Sequence, residues 1–429
     1  MALTKVSYSM ITGAPVNILD FGANTTPGTT DMTAVLQAAV TAAVAAGNSV
    51  YMPAGTYLIT DTITCPAKTM ITGEHRSMSG IDNGTKILFQ PTSLKSLFST
   101  GPTGAFKDGY AFENLYIVGN STDAIGYSYR AFDLIKVIKS TFRNMRIDGF
   151  RSAFRVEASI NNRFEFIQMA NHYLYCIYYT GDFATTDVWE QCYISNAPIG
   201  VQTDGVNVAI RFNNCIFETI ETYGVNLVKE VYGWEFINTY TEDVPSVTTA
   251  TNAMFRVGYD GATLNTVPQL TVIGGYFGGN NATPSGSLFD IDYTDGVILG
   301  GFLATRYTNV IKTSANTQTN QVVSTPWTCQ TVTNLVTDST KVTGFYPINT
   351  VGSGNRNIQT GTLSSLKLSG VLNLASGAAS TTALELQLGN GNEATVGGAG
   401  GASALPATPL GYLIAYLGTT KIKIPYYSA

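Results

Sequence analysis

Charged residues are scarce in this chain. Only 12% of its 429 residues are Asp, Glu, Lys or Arg, and the formal net charge is −5. No run of Lys and Arg is present, so the sequence lacks the clustered cations that displace counterions from nucleic acid. We therefore expect no nucleic-acid partner.

Residues that bind zinc are also few. The chain has two histidines, His75 and His172, and five cysteines without CxxC spacing. This set does not match the ligand spacing of zinc sites, so we expect no metal and no cofactor. Three aspartates in the segment 290–296 resemble a calcium loop, but the third lies one position too late for the EF-hand pattern. The cysteines are expected to be reduced core residues.

Several sequence signals of other protein classes are missing. A Walker loop, a dinucleotide fingerprint and a GxSxG elbow are absent, which removes support for nucleotide binding and serine-hydrolase chemistry. No apolar stretch approaches the ~20 residues that a membrane helix requires, and the N-terminus lacks the regions of a signal peptide. We expect a soluble protein without a secretion signal or membrane insertion.

The chain is rich in glycine, with 43 residues, and 44% of it is hydrophobic, a profile typical of β-rich, turn-rich proteins. Six segments repeat at steps of 30, 22, 25, 23 and 22 residues. Each opens with an aromatic residue and has mostly apolar residues three and five positions later; the openers are Phe112, Phe142, Phe164, Trp189, Phe212 and Trp234. Leu270 and Val297 continue the series. Such steps fit the coils of a parallel β-solenoid.

Alternation along each strand predicts which positions face the core. The openers and the third and fifth positions after them point inward, so Trp189 and Trp234 are core residues rather than sugar platforms. The third positions are Leu115, Met145, Ile167, Cys192, Cys215 and Ile237. The fourth and sixth positions point outward and form a solvent-facing strip on the stacked coils.

The chain divides into three predicted regions. Residues 1–49 are a lead and a helix from about Thr30 to Gly47, capped by Thr30 or Asp31, which plugs the open end of the solenoid. Residues 50–325 are the coils. Residues 326–429 are a smaller β-rich domain that ends in a hairpin.

Three blocks near the N-terminus carry a family resemblance. The segments 16–23 (VNILDFGA), 30–39 (TDMTAVLQAA) and 50–57 (VYMPAGTY) resemble bacteriophage tailspikes of the pectate-lyase-like superfamily. The closing segments 409–414 (PLGYLI) and 424–427 (IPYY) resemble the C-terminal ends of such tailspikes. One departure is Met32, where the family commonly has a second aspartate after Asp31.

The resemblance implies an all-β fold, a right-handed single-stranded parallel β-helix with an N-terminal capping helix. It implies a homotrimer, with residues 326–429 as a trimerisation or carbohydrate-binding domain. It also implies a depolymerase in the virion that is made in the bacterial cytoplasm and acts at the bacterial cell surface. Its partners would be a surface polysaccharide, bound in a groove on residues 50–325, and a phage tail or other virion protein at the N-terminus.

The resemblance does not fix catalytic residues, so they are predicted from this chain. Hydrolysis of a glycan needs one protonated and one ionised carboxyl group, ~5 to 10 Å apart. Glu218 lies six positions after Phe212, and Glu242 and Asp243 lie eight and nine after Trp234. We predict that these three acids form the catalytic patch, with Tyr240 occupying the column of Glu218 one coil later.

Polar and aromatic side chains near this patch are the predicted sugar contacts. Tyr193 and Ser195 flank it one coil earlier, and aromatic faces such as that of Tyr240 stack on sugar rings. The remaining predicted substrate-binding residues are Asp148, His172 and Glu221. A rival acidic pair, Glu165 and Glu190, is predicted to stack directly but to belong to a structural ladder that Arg143 neutralises at one end.

Three functions stay open at this stage. The leading interpretation is an endo-acting glycoside hydrolase that degrades a capsule, an exopolysaccharide or an O-antigen. A non-catalytic glycan-binding adhesin is the second. The third is a polysaccharide lyase, in which His172, Arg151 and Tyr240 would matter more.

Overall fold

The computed structural model describes residues 13–74, 84–101, 104–120, 128–181, 183–247, 249, 251–258, 269–280, 283–292, 294, 296–314, 316–317, 322–325, 327–337, 341–344, 350–351, 411–417 and 420–426. The chain divides into two compact units, Met1–Leu363 and Ser364–Ala429. His75 and most of the predicted C-terminal domain lie outside the described residues.

The predicted helix is confirmed and spans Thr33–Ala46, after a short 3-10 helix at Ile18–Asp20. The carboxylate of Asp31 accepts a hydrogen bond of 2.9 Å from the backbone N–H of Thr33, which satisfies one of the free donors of the first turn. Gly47 ends the helix in the left-handed conformation, with φ of +68°. The buried side of the helix joins the core of the first coils through Leu36, Ala39, Val40 and Ala43.

Parallel strands pair from coil to coil in four ladders, named A to D here. Ladder A contains Val16–Asn17, Val50–Met52, Met70–Gly73, the first parts of Ala111–Val118, Thr141–Asp148 and Arg163–Ala170, then Val188–Glu190, Arg211–Asn213, the first parts of Trp234–Glu242 and Gln269–Gly278, and Gly296–Gly300, Val322–Ser324 and Val342–Gly344.

Ladder B continues each of these coils after a bend. It contains Gly55–Ile59, Thr85–Phe89, the last parts of Ala111–Val118, Thr141–Asp148 and Arg163–Ala170, the first parts of Tyr193–Asp204 and Ile216–Leu227, the last parts of Trp234–Glu242 and Gln269–Gly278, and Leu303–Thr305, Thr328–Gln330 and Thr350–Val351.

Ladders C and D complete the coils. Ladder C contains Ile63–Thr64, Lys95–Ser99, Ser128–Ile135, Ser152–Glu157, Tyr175–Thr180, the last parts of Tyr193–Asp204 and Ile216–Leu227, Ala253–Val257, Ser287–Ile291, Asn309–Thr313 and Asn334–Val336. Ladder D is short and contains Lys107–Asp108, Val137–Ile138, Ala184–Thr185, Asn207–Val208 and Val231–Tyr232.

Residues with positive φ mark the bends of each coil. The bend between ladders A and B uses Asn114, Asn144, Phe166, Gln191, Asn214 and Asn238, and then Gly274 and Gly301. The turn between ladders B and C uses Gly149, Asn171, Asn196, Thr219 and Asp243. Asn and Gly suit these positions because they tolerate the left-handed region better than other residues. The chain therefore changes direction at the same place in successive coils.

The register of the sixth repeat differs from the prediction by two residues. Phe212 pairs with Phe236, whereas Trp234 pairs with Leu270. The reason is that Asn238 takes the bend position of Asn214. Ile237, which was expected inside, is therefore partly exposed, while Thr239 and Thr241 fill the inward columns.

Aromatic stacking fills the interior as the alternation predicted. The ring centroids of Phe112 and Phe142 lie 5.6 Å apart, and those of Phe164 and Trp189 lie 3.8 Å apart. Phe212 and Phe236 continue the stack at 4.7 Å. Trp189 and Trp234 are fully buried, and all five cysteines are buried and unpaired, both as expected.

The coils extend beyond residue 325, where the sequence pattern predicted their end. Strand Val322–Ser324 pairs with Val342–Gly344, and Thr328–Gln330 pairs with Thr350–Val351. Trp327 and Cys329 are buried and continue the core. In the second unit the predicted terminal hairpin is present, with Gly411–Leu417 antiparallel to Thr420–Tyr426.

A buried polar network lies inside the middle coils. The carboxylate of Asp187 is fully buried and accepts hydrogen bonds from the backbone N–H and the side-chain amide of Asn162, at 2.8 and 3.0 Å. The hydroxyl of Tyr179 lies 3.3 Å from the same carboxylate and accepts a hydrogen bond of 2.8 Å from the indole of Trp189. Burial raises the pKa of Asp187 to about 7.

Candidate functional site

Two glutamates face each other on the outer side of ladder B. Glu218 and Glu242 are register partners on adjacent parallel strands, whose spacing is about 4.8 Å. Both side chains are partly exposed. The prediction placed Glu242 two residues and Asp243 three residues out of line with Glu218, and this is wrong for Glu242 because the sixth repeat is shifted. We call these two residues the glutamate pair.

A tyrosine holds each member of the pair. The hydroxyl of Tyr193 donates a short hydrogen bond to Glu218, and the hydroxyl of Tyr240 donates one of 2.9 Å to Glu242. Burial raises the pKa of Tyr193, and the contact with Glu218 raises it further. The hydrogen bond to Glu242 raises the pKa of Tyr240. Both hydroxyls therefore stay protonated at neutral pH and act as donors that orient the carboxylates.

An aromatic surface adjoins the pair. Tyr240 is 40% exposed, and its ring stacks on that of Tyr276 with centroids 5.3 Å apart. Tyr240 lies beside Ile216 in register and not in the column of Glu218, which corrects the prediction. Exposed rings of this kind are suited to stack on the apolar faces of sugars.

Asp243 and Glu221 lie where the chain turns away from the pair. Asp243 follows Glu242 directly and has a φ of +55°, so its backbone turns toward ladder C. Glu221 is exposed and follows the corresponding turn residue Thr219 of the preceding coil. Asp243 is thus the sequence neighbour of one member of the pair, Glu221 follows the other after a turn, and neither acid has a register partner on ladder B.

Three predicted sugar contacts are buried instead of solvent-facing. Asp148 accepts hydrogen bonds from Arg146 at 2.7 Å and Tyr116 at 3.1 Å, and burial raises its pKa. His172 is 3% exposed, lies 3.3 Å from the carbonyl oxygen of Phe150, and has a pKa lowered by burial to about 4.

Ser195 is the third of these and is 1% exposed. It is the register partner of Glu218, but its hydroxyl points to the carbonyl oxygen of Met169 at 3.5 Å. The outward column of Glu218 is therefore covered at Asp148 and Ser195. With the buried His172, these residues do not belong to the contact surface.

Two residues at the site were missed from the sequence. Tyr276 is the register partner of Tyr240 one coil later, and Arg306 follows Thr305, the partner of Gly278. The spacing in sequence between Tyr240 and Tyr276 is the same as that between the openers Trp234 and Leu270. Applying the spacing of the openers to Tyr240 would therefore have predicted Tyr276.

The rival acidic pair lies on ladder A and is bridged by an arginine. Glu165 and Glu190 are register partners, as predicted. Arg163 contacts both of them, at 2.7 and 3.4 Å. Arg143 pairs with Glu113 at 2.5 Å at the lower end, as expected. These contacts fit a structural ladder of ion pairs, in which Arg163 bridges two like charges.

The described part of the chain offers neither a metal-binding cluster nor a membrane-spanning helix. Within those residues, no group of three or more His, Cys, Asp or Glu side chains is placed to hold a metal ion. In the segment that resembles a calcium loop, Asp290 pairs with Lys312 at 2.9 Å, and Asp295 lies outside the described residues. The described residues contain no helix long and apolar enough to cross a membrane.

The sequence matches one family across most of its coils. The sequence model of the family described as rhamnogalacturonase A/epimerase, pectate lyase-like, matches residues 15–244, more than half of the chain. This match includes the capping helix and the glutamate pair. No curated protein matches the sequence.

Solved structures share the fold at low sequence identity. The surface adhesin PfbA of Streptococcus pneumoniae has a TM-score of 0.55 and 13% identity, with 78% of this chain and 91% of the adhesin covered. ORF18 of Geobacillus virus E2 has a TM-score of 0.51 and 16% identity, covering 79% of this chain and 62% of the viral protein. A mutant DFA-IIIase of Arthrobacter chlorophenolicus A6, in complex with DFA-III, has a TM-score of 0.52 and 12% identity, covering 75% and 83%. These similarities show a common all-β, parallel-strand fold.

Proposed function

The chain belongs to the rhamnogalacturonase A/epimerase, pectate lyase-like family, and from this premise we propose that it is a bacteriophage tailspike that hydrolyses a bacterial surface polysaccharide. The substrate is a capsule, an exopolysaccharide or an O-antigen, and the reaction is endo-acting. The observation that carries the proposal is the direct register of Glu218 and Glu242 on the outer face of ladder B.

The glutamate pair supplies the two carboxyl groups that glycoside hydrolysis needs. One protonates the leaving glycosidic oxygen, and the other acts as nucleophile or as base toward water. Tyr193 and Tyr240 hold the carboxyl groups in place, and Tyr240 with Tyr276 forms the surface on which a sugar ring stacks. Asp243 and Glu221 border the site and contact sugar hydroxyls.

The raised pKa values of the two tyrosines favour hydrolysis over elimination. A lyase abstracts a proton next to a uronate and needs a base near neutral pH. The pKa of Tyr240 is raised by its hydrogen bond to Glu242, which is the opposite of what a tyrosine base requires. His172, another of the three residues predicted to matter in a lyase, is buried, and the Nε atom of Arg151, the third, is buried as well.

Assembly and location are part of the same proposal. The coils wind in the right-handed sense, as parallel crossovers almost always do. Three copies assemble as a homotrimer, which covers exposed strand edges. The N-terminus joins a phage tail or another virion protein, and the spike, made in the bacterial cytoplasm, acts at the bacterial surface. The shared fold of a viral protein agrees with this assignment.

The experiment that tests the function compares products on a panel of surface polysaccharides from Gram-negative strains. We expect shorter polymers with new reducing ends and no absorbance from an unsaturated uronate. Shortening with that absorbance identifies the lyase. Binding without shortening of any polymer identifies the adhesin, and both results contradict the proposal.

A further inference from the structure

A cation lies next to the glutamate pair on the same outer face. Glu242 is followed in its column, one coil later, by Gly278, because Thr241 pairs with Phe277. Arg306 belongs to the next coil and has a φ of +62°. Its Nη2 atom lies 2.9 Å from the point that a Cβ of residue 278 would occupy. The guanidinium thus fills the place of the missing side chain beside Glu242.

Glycine at position 278 makes this placement possible. A side chain there would meet both the guanidinium and the ring edge of Tyr276, whose Cε1 atom lies 3.1 Å from the same point. The side chains of Arg306 and Tyr276 therefore converge over one backbone position, at about one coil rise from the glutamate pair.

Among the described residues, the guanidinium of Arg306 has no hydrogen-bond or ion-pair partner. The Nε atom of Arg306 is buried without a hydrogen-bond acceptor, and its side chain forms no ion pair with any described residue. The arginines on the strands of ladders A and B are paired, such as Arg146 with Asp148 at 2.7 Å and Arg211 with Glu235 at 2.6 Å. A buried donor without an acceptor costs free energy unless a ligand supplies one. If Arg306 served only to balance Glu242, an ion pair between them would be present.

We propose that Arg306 is a specificity-determining residue that binds a carboxylate substituent of the polysaccharide. The inference rests on the proposed function and narrows its substrate to an acidic glycan. The planar guanidinium matches the two oxygens of a carboxylate, and its position beside Glu242 places that carboxylate next to the scissile bond. Tyr276 supplies the stacking surface for the same sugar.

The test is a cycle of two changes, one in the protein and one in the polymer. Binding of native acidic polysaccharides from the panel, and of the same polymers after carboxyl reduction, is measured for Glu218→Gln and for Glu218→Gln with Arg306→Gln. We expect Arg306→Gln to weaken binding of native polymer about 10- to 100-fold, as for a lost charged hydrogen bond. Carboxyl reduction should cause the same loss, with no further loss when both changes are combined.

Two further variants separate this role from a structural one. Arg306→Lys keeps the charge and should recover part of the affinity. Arg211→Gln removes a cation of ladder A that pairs with Glu235, and it should bind native polymer like its parent. Circular dichroism and the melting temperature verify that each variant is folded.

The carboxylate has two chemical sources, a uronic acid or a pyruvate ketal. Mild acid removes ketals and leaves uronates, so loss of binding after this treatment assigns the ketal. The proposal is overturned by equal affinity for native and carboxyl-reduced polymers, by binding confined to neutral polymers, or by failure of every acidic polymer to bind. Cleavage that survives substitution of the glutamate pair instead refutes the proposed catalytic role of the pair and leaves the binding cycle unaffected.

Discussion

Replacing Asp187 by Asn should change how the stability of the protein depends on pH. The carboxyl group is fully buried, and burial raises its pKa from 3.8 to about 7. Each unit of pKa corresponds to about 1.4 kcal/mol, so the rise corresponds to about 4 kcal/mol. Asn keeps the acceptor for Asn162 and, like the protonated acid, offers a donor to the oxygen of Tyr179, whose hydroxyl donates to Asp187 in the wild type and must turn to accept, so the structural damage is limited.

The sign follows from where the proton is held. Between pH 3.8 and about 7 the folded protein retains a proton on Asp187 that the unfolded chain has released. This contribution to stability is complete below pH 3.8 and is lost as the pH rises through 7. The wild type should therefore lose about 4 kcal/mol relative to Asp187→Asn between pH 4 and pH 8. His172, whose lowered pKa acts in the opposite direction, is present in both proteins and cancels.

The assay is guanidinium unfolding followed by tryptophan fluorescence at the two pH values. Trp189 reports on the network directly, because its indole donates to the hydroxyl of Tyr179. Equal free-energy differences between wild type and variant at both pH values would refute the argument, since Asp187 would then hold no extra proton in the folded state.

Three further predictions concern the site. Tyr193→Phe should lower kcat about 10-fold, because Glu218 loses the hydroxyl that orients it. Tyr178→Phe removes a hydroxyl bonded to Asp204 on ladder C and should leave kcat unchanged in the same steady-state assay. Tyr276→Ala should raise KM about 3- to 10-fold with little change in kcat, because it removes stacking surface, and a fall in kcat alone would contradict this. The anomeric configuration should be retained, because carboxyl groups on adjacent strands fit the spacing of ~5 Å used by retaining enzymes; inversion in proton NMR of the first product would argue against this.

The fold was predictable because its main signal is local. Each coil repeats an inward aromatic residue at a fixed place in the alternation, and the stack from Phe112 to Phe212 has the predicted register. The error came at Trp234, an aromatic residue two positions before the true partner Phe236. The bend residue was the better marker, since Asn238 repeats the left-handed position of Asn214.

The site was predictable only in part. Glu218 and Glu242 were found because both follow an aromatic opener on neighbouring coils. Arg306 was not found. Its proposed role depends on Gly278 in the preceding coil and on the Arg306 side chain lying over that glycine. The burial of Asp148 was also missed, since it arises from Tyr116 and Arg146, which contact its carboxylate. Alternation predicts the face of the strand on which a side chain lies, but it does not predict which neighbouring side chains bury it.

The central claim is that the glutamate pair is catalytic. The most direct test is the rate at which variants with one glutamate replaced release reducing ends from the polymer. Glu218→Gln and Glu242→Gln should each lower the rate about 10²- to 10⁴-fold on a polymer that the wild type cleaves. Glu235→Gln, whose carboxylate pairs with Arg211 on ladder A, is the matched control and should keep the wild-type rate. Full activity in both pair variants, with loss in Glu190→Gln, would contradict the account and move the chemistry to ladder A.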